Sequence, residues 1–317
     1  MQRINLWRTM ILSLLIFGLA SCSKDNRVEE PVTPSSYETT FNVSLQYNYK
    51  LTNTKTGQVL INDDYGTADM NTLLYVIHRK SDGHYVKMGM IDSTSLKNIT
   101  SENIAKVNVS LPKGIYYITF VAFKNFKVKA GDPDSLTIVK SLSLDYEDAA
   151  MQIPNDDVHY ATSEFEVFEN DGVNMPVTMI LKKISADLIF EFYDAYKVPD
   201  KEGYRLTVGI DNIPSAFFLA TGKSLTKKEV VEHGLHLYSD SCNVSVPAIG
   251  GNKAAVTIFH TLSNDNLPES DRGKYWFEFM ETSDEEKSIK SISKNLDSFS
   301  YGVLSSWVYI YGLCDGD

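Results

Sequence analysis

The chain has 317 residues, of which 43% are hydrophobic and 22% charged, so it can bury sizeable cores and is long enough for two domains of ordinary size. Its formal charge is −11, and loss of Arg3 and Arg8, the two cations of the N-terminal leader described next, lowers it by two to −13. That balance excludes a nucleic-acid partner, and the small clusters Lys182-Lys183 and Lys227-Lys228 read as solvated strand or helix ends rather than as a phosphate-tracking stripe.

Arg3 and Arg8 flank the start of an apolar run from Met10 through Ala20, and the small residues Ala20 and Ser21 lead directly into Cys22. These are the parts of a secretory signal, and the cysteine after the small pair makes Leu19-Ala20-Ser21-Cys22 a lipobox. The run is far shorter than the ~20 residues needed to span a bilayer. Residues 1–21 are therefore expected to be removed and Cys22 to become the lipidated N-terminus; an ordinary secretory signal that contains a cysteine is the alternative. One acyl chain holds a protein only marginally, at ~0.8 kcal/mol per buried CH₂, whereas a bacterial lipoprotein cysteine carries several. Residues 22–36 follow as a polar, Pro-containing tether without apolar periodicity. Its acidic and polar start resembles the surface-export signal of Bacteroidetes lipoproteins.

From Tyr37 the pattern is period-two alternation in β-branched and aromatic residues. Phe41, Val43, Leu45, Tyr47 and Tyr49 share one face of a first strand. Leu73 to His78 and Tyr85 to Met88 form a hairpin about Ser81-Asp82-Gly83, and Val107 to Leu111 leads through Pro112-Lys113-Gly114 into Ile115 to Phe123. Asp92 to Ser101 and Asp145 to Gln152 read as short helices or loops. After Glu164 to Phe168 a turn at Asp171-Gly172 precedes Val177 to Leu181, and then Ile184, Ala186, Leu188, Phe190 and Phe192 alternate with Ser185, Asp187, Ile189 and Glu191. Leu206 to Ile210, Asn243 to Val246, Ala255 to Leu262, Tyr275 to Met280 and Leu304 to Leu313 complete the strands. Many short strands separated by turn chemistry, without alternating helices, predict an all-β chain of two β-sandwiches, over 37–175 and 176–317.

The chemistry-bearing residues do not converge. There is no His-Glu-x-x-His helix, Gly-x-Ser-x-Gly elbow, phosphate-binding glycine loop or Cys-x-x-Cys pair, so no catalytic residue, metal or cofactor is expected. His233 and His236 would share a helical face and could ligate a metal, but Gly234 between them favours a surface turn. His260 reads as a core or interface histidine, and Asp63-Asp64 and Asp265-Asn266 as loop acids. Trp276 and Trp307 fall inside strand patterns, where rings fill cores; exposed, they would instead suit a sugar-binding surface. With Cys22 lipidated, Cys242 and Cys314 remain as a candidate disulfide pair in an oxidising compartment. Asp92-Ser93-Thr94 and Asp134-Ser135-Leu136 resemble the short O-glycosylation acceptor of Bacteroidetes.

Several segments, in order, resemble the fimbrillin-like anchor and pilin proteins of type V pili, and in particular their lipoprotein family of minor fimbrial anchor subunits. They are the lipobox at Cys22, the strand Phe41 to Tyr49, Leu74-Tyr75-Val76-Ile77 with its hairpin Ser81 to Val86, Leu111-Pro112-Lys113-Gly114-Ile115-Tyr116-Tyr117-Ile118, and Met179 to Leu188. The resemblance implies two tandem transthyretin-like antiparallel β-sandwich domains, with Met179 to Leu188 opening the second. It also implies a non-enzymatic role in attaching or assembling fimbriae at the outer membrane, with other pilus subunits as partners through β-strand addition. In polymerising members, cleavage after a basic residue removes the first strand; Lys50 and Lys55 follow that strand here. A glycan-binding surface lipoprotein built of β-sandwich modules is the alternative function. The C-terminal segment, with Trp307, Tyr309, Tyr311 and Leu313 alternating with Val308 and Ile310, must be covered on both faces, either within its own half or in a neighbouring subunit.

Overall fold

The computed structural model describes residues 35–46, 70, 72–91, 104–123, 145–152, 158–169, 174–193, 204–244, 255–282, 288–296, 300 and 306–310. The alternating segments form strands: β1 (Ser36–Leu45), β2 (Thr72–Arg79), β3 (Tyr85–Ile91), β4 (Ala105–Pro112), β5 (Gly114–Phe123), β6 (Ala150–Gln152), β7 (Val158–Val167) and β8 (Val177–Lys183). They continue as β9 (Ser185–Phe192), β10 (Tyr204–Ile213), β11 (Ala216–Phe218), β12 (Tyr238–Val244), β13 (Ala255–Leu262), β14 (Lys274–Thr282), β15 (Ser288–Leu296) and β16 (Ser306–Ile310), with one helix, α1 (Lys227–Glu232). Ser36–Asp317 is one compact unit.

The first eight strands, β6 excepted, make a seven-stranded sheet in the order β3-β2-β5-β7-β8-β1-β4. β7 meets β8 only at His159↔Lys183 and Tyr160↔Lys182, so the sheet folds there into two layers. Inward residues of β4, β1 and β8 then meet those of β2, β5 and β7 in a common core. Phe41 stands at its centre, edge-on to Phe120 at 5.6 Å and to Phe165 at 5.0 Å between ring centroids. β1 shows why the alternation reads so cleanly: Phe41, Val43 and Leu45 are buried while Asn42 and Ser44 are not.

The C-terminal half packs β13-β9-β16 against β12-β10-β14-β15. Leu188, Phe190 and Phe192 of β9 face Leu206, Val208 and Ile210 of β10 and Tyr275, Phe277 and Phe279 of β14. β16 pairs with β9, from Ser306↔Leu188 to Ile310↔Phe192, so the terminal strand completes its own half.

Contrary to the expectation of antiparallel sandwiches, pairing is not wholly antiparallel: β1 lies parallel to β8 and β16 parallel to β9. Side-chain alternation sets which face is buried but not strand direction, and the long intervening segments permit these crossovers. Val177–Lys183, expected to open the second half, is hydrogen-bonded to β1 from Phe41↔Val177 to Leu45↔Leu181, so the change of sheet comes at Ile184. Asp145–Gln152, expected as helix or loop, is a turn followed by β6, which pairs with β11 from the other half.

That small ribbon belongs to a third core. Leu74, Val76, Val121 and Phe123, on the back of the N-terminal sheet, pack with Met151, Phe217, Leu219 and Leu262. α1 docks behind it through Val230, beside Ala150, Ala216, Leu225 and Leu235. Its N-cap Thr226 accepts from the Glu229 backbone N–H while the Glu229 carboxylate accepts from that of Thr226, a capping box that lets six residues hold a helix.

Candidate functional site: a cleft at the junction and the open strand edges

Of the residues singled out in the sequence, Cys22, Lys50, Lys55, Asp63-Asp64, Asp92-Ser93-Thr94, Asp134-Ser135-Leu136 and Cys314 lie outside the described residues. Cys242, on β12, has no disulfide partner among the described residues, and its Sγ lies 3.1 Å from Thr257 Oγ1. His233 ends α1 as its C-cap, and Gly234 turns the chain away from it. The backbone of His236 pairs with the side chain of Gln152, accepting from its Nε2 and donating to its Oε1. No group of three or more residues able to hold a metal ion occurs among the described residues.

Trp276 departs from its expected place in the core. Tyr275, Phe277 and Phe279 point inward, so Trp276 falls on the outer face of β14, where its Nε1 donates to Asp211 at 3.4 Å. The indole packs against Gly209 of β10, and a Cβ at that position would stand 2.2 Å from it. Only glycine admits the ring there. The side chain of Trp307 is not among those described.

Strand edges are the first surface of interest. Among the described residues, β3 and β4 end the N-terminal sheet, and β12, β15, β13 and β16 end those of the C-terminal half. β1 is not an edge: it is hydrogen-bonded on one side to β4, from Ser36↔Pro112 to Val43↔Ala105, and on the other to β8.

The second is a cleft of about 460 Å³ beside the β8–β9 junction. Ile180, Lys182, Lys183 and Ile184 form one wall, Thr221 to Ser224 another, and Ser263, Asp265 and Asn266 a third. The turn at Gly222 has φ +69°, and its Cα sits against the Tyr160 ring. Tyr160 donates its hydroxyl to the Leu219 carbonyl, and burial pushes its phenol far above the ordinary range.

Under the first wall lies a charge cluster centred on the buried Asp187. Lys183 Nζ is 3.1 and 3.3 Å from the two carboxylate oxygens of Asp187, and His260 Nδ1 is 2.9 Å from one of them. Burial alone would raise the Asp187 carboxyl; the His260 hydrogen bond and the Lys183 ammonium outweigh it and hold the group well below the usual carboxylate range. Lys183 and Asp187 are four apart across a break between two strands, so neither helical nor strand periodicity announced the pair. Lys182, in contrast, is exposed as expected.

No family model matches the chain, and no curated protein sequence matches it significantly. Its strand arrangement is similar to several solved structures. A fimbrial assembly protein from Parabacteroides distasonis is 12% identical with a TM-score of 0.42, covering 88% of this chain and 91% of that one. The fimbrial anchor protein Mfa2 from Porphyromonas gingivalis is 11% identical with a TM-score of 0.41, covering 76% and 77%. The tip fimbrial protein Mfa3 from the same organism, with a C-terminal truncation, is 9% identical with a TM-score of 0.39, covering 82% and 81%. These likenesses are in outline only, too low in identity and TM-score to transfer a role.

Proposed function

We propose that the chain is an outer-membrane lipoprotein, held by acyl chains on Cys22 and exposed at the cell surface, that acts as a fimbrial anchor or minor pilin. It joins other pilus subunits by β-strand addition and carries out no catalysis. The observation that supports this reading best is the setting of β1. This strand follows the tether directly in sequence, and it is bonded on both sides while Phe41, Val43 and Leu45 fill the core. A load arriving along the tether would have to shear two ladders at once. An anchor also requires β1 to be kept, since cleavage at Lys50 or Lys55 would part the folded chain from Cys22. Assembly then uses a free sheet edge, where unpaired backbone donors and acceptors accept a partner strand.

Two measurements test the reading. Replacing Cys22 with Ala should move the protein out of the membrane fraction and abolish its lipid labelling. Mass spectrometry of the mature surface protein should find the segment 36–45 in the same chain as Cys22. A mature chain beginning after Lys50 or Lys55 would overturn the anchor role. Glycan binding is a second reading, supported by the outward position of Trp276, and a glycan array on the purified protein tests it.

A further inference from the structure

We infer that the cleft beside the β8–β9 junction binds an acidic saccharide, with its carboxylate held between the ammonium groups of Lys182 and Lys223. The inference does not depend on the pilus reading. Three lysines line the cleft, but the charge of Lys183 is taken up by Asp187. Lys182 and Lys223 are exposed, come from different segments of the chain, and make no ion pair among the described residues. On a chain of formal charge −11, two uncommitted cations in one concavity run against the overall balance and mark the place where an anion is favoured.

The other groups narrow the class. Among the described residues Asp265 is the only carboxylate lining the cleft, and one of its oxygens accepts the Ser263 hydroxyl at 2.8 Å. Its second oxygen and Asn266 Oδ1 accept from no other side chain among the described residues and are suited to hydroxyl donors. A ligand with one carboxylate and several hydroxyls satisfies both the ammonium pair and these acceptors. An acidic peptide would satisfy the lysines while setting its further carboxylates against Asp265. The volume, about 460 Å³, lies within the range of small-ligand sites.

The walls are also fixed before any ligand arrives. Ser224 Oγ donates to the Ser263 carbonyl, and Asn266 Nδ2 donates at 2.8 Å to the Ser224 carbonyl, so the turn and the loop are tied together. Tyr160 holds the same turn from beneath through Leu219. Such preorganisation reduces the ordering cost of binding.

Calorimetric titration of the full-length protein with digalacturonate, and with neutral galactobiose, acetate and a Glu-Glu dipeptide for comparison, tests the inference. Digalacturonate should bind saturably and about tenfold or more tighter than each of the others. Lys182→Ala and Lys223→Ala should each weaken it about fivefold or more, whereas Lys106→Ala on the outer face of β4 should leave it unchanged. Asp265→Ala should weaken digalacturonate but not acetate. Both lysines are exposed, so their variants should fold, and circular dichroism verifies this. Equal affinity for galactobiose, acetate or the dipeptide would overturn the acidic-saccharide class. Binding that is absent up to roughly tens of millimolar, or indifferent to the two lysine substitutions, would overturn the site.

Discussion

Replacing Asp187 with Asn keeps the side-chain volume and removes the charge that faces both Lys183 and His260. Asp187 is 2% exposed and the Lys183 side chain 11%, so the pair is held largely away from water. Breaking a buried pair by neutralising one partner costs ~3–5 kcal/mol, since the other charge stays desolvated. Lys183 lines the cleft and can turn toward solvent, so the lower end, about 3 kcal/mol, is expected. The acid limb should change as well. Asp187 has a folded pKa depressed below its unfolded one, so its stabilisation is full above the ordinary carboxyl range, near pH 4, and is lost as pH falls below it. Urea unfolding followed by circular dichroism between pH 7 and pH 3 should show the wild type losing stability over that fall more steeply than Asp187→Asn. The double variant Lys183→Met/Asp187→Leu should recover most of the loss, because a buried pair replaced by apolar groups leaves no orphan charge. Equal stability of Asp187→Asn and wild type at pH 7, together with parallel acid limbs, would refute the reasoning.

Thr39 is 1% exposed and its Oγ1 has no hydrogen-bond partner among the described residues, so Thr39→Val should stabilise the protein by ~1–2 kcal/mol. Thermal melting should show a rise of a few degrees, and an unchanged or lower midpoint contradicts the assignment. In Gly209→Ala the new methyl meets the Trp276 indole, which must lift from the sheet; a red-shifted tryptophan emission and a loss of ~1–3 kcal/mol are expected. Deleting Ser306–Asp317 removes one neighbour of β9 and the buried Ile310, so the C-terminal half should lose cooperative unfolding. If the truncated protein stays fully folded and merely fails to join a pilus partner, the strand serves as a donor.

Strands that are buried on one face were legible in the sequence. β4 alternates buried and exposed residues, β1 alternates buried and half-buried ones from Thr39 onward, and Ala255–Leu262 matches the strand bounds the sequence predicts. What stayed hidden lacks periodicity or depends on contacts remote in sequence. β6 and β11 have three residues each, too few to alternate, and exist because they pair with one another. α1 has six residues, and its signal was the Thr226-to-Glu229 spacing of a capping box, not an apolar stripe. β15 (Ser288–Leu296) was missed altogether, because Lys290, Ser291, Ser293, Lys294 and Asn295 leave it too polar to read as a strand. The cleft could not be seen either, because Lys182, Lys223 and Asp265 come from three distant segments.

The third core changes what the two halves can be. β2 is buried on both faces from Thr72 through His78, and a strand with two buried faces needs two covering layers. One is the β4-β1-β8 layer; the other includes Phe217, Leu219 and Leu262 from the C-terminal half. Cutting the chain at the expected division, between 175 and 176, would strip that cover and also remove β8 from beside β1. Leu74, Val76, Val121 and Phe123 would then face water, at ~1.5–3 kcal/mol for each fully exposed side chain. The four together approach the whole stability of an ordinary domain, ~5–15 kcal/mol. The sheets on either side of Ile184 are therefore joined by shared burial within one compact unit. The walls of the cleft, drawn from β7, β8, the Thr221–Ser224 turn and the Ser263–Asn266 loop, keep their spacing for that reason. The strand that carries Lys182 and the turn that carries Lys223 thus belong to one packed body, tied through Tyr160 and Leu219.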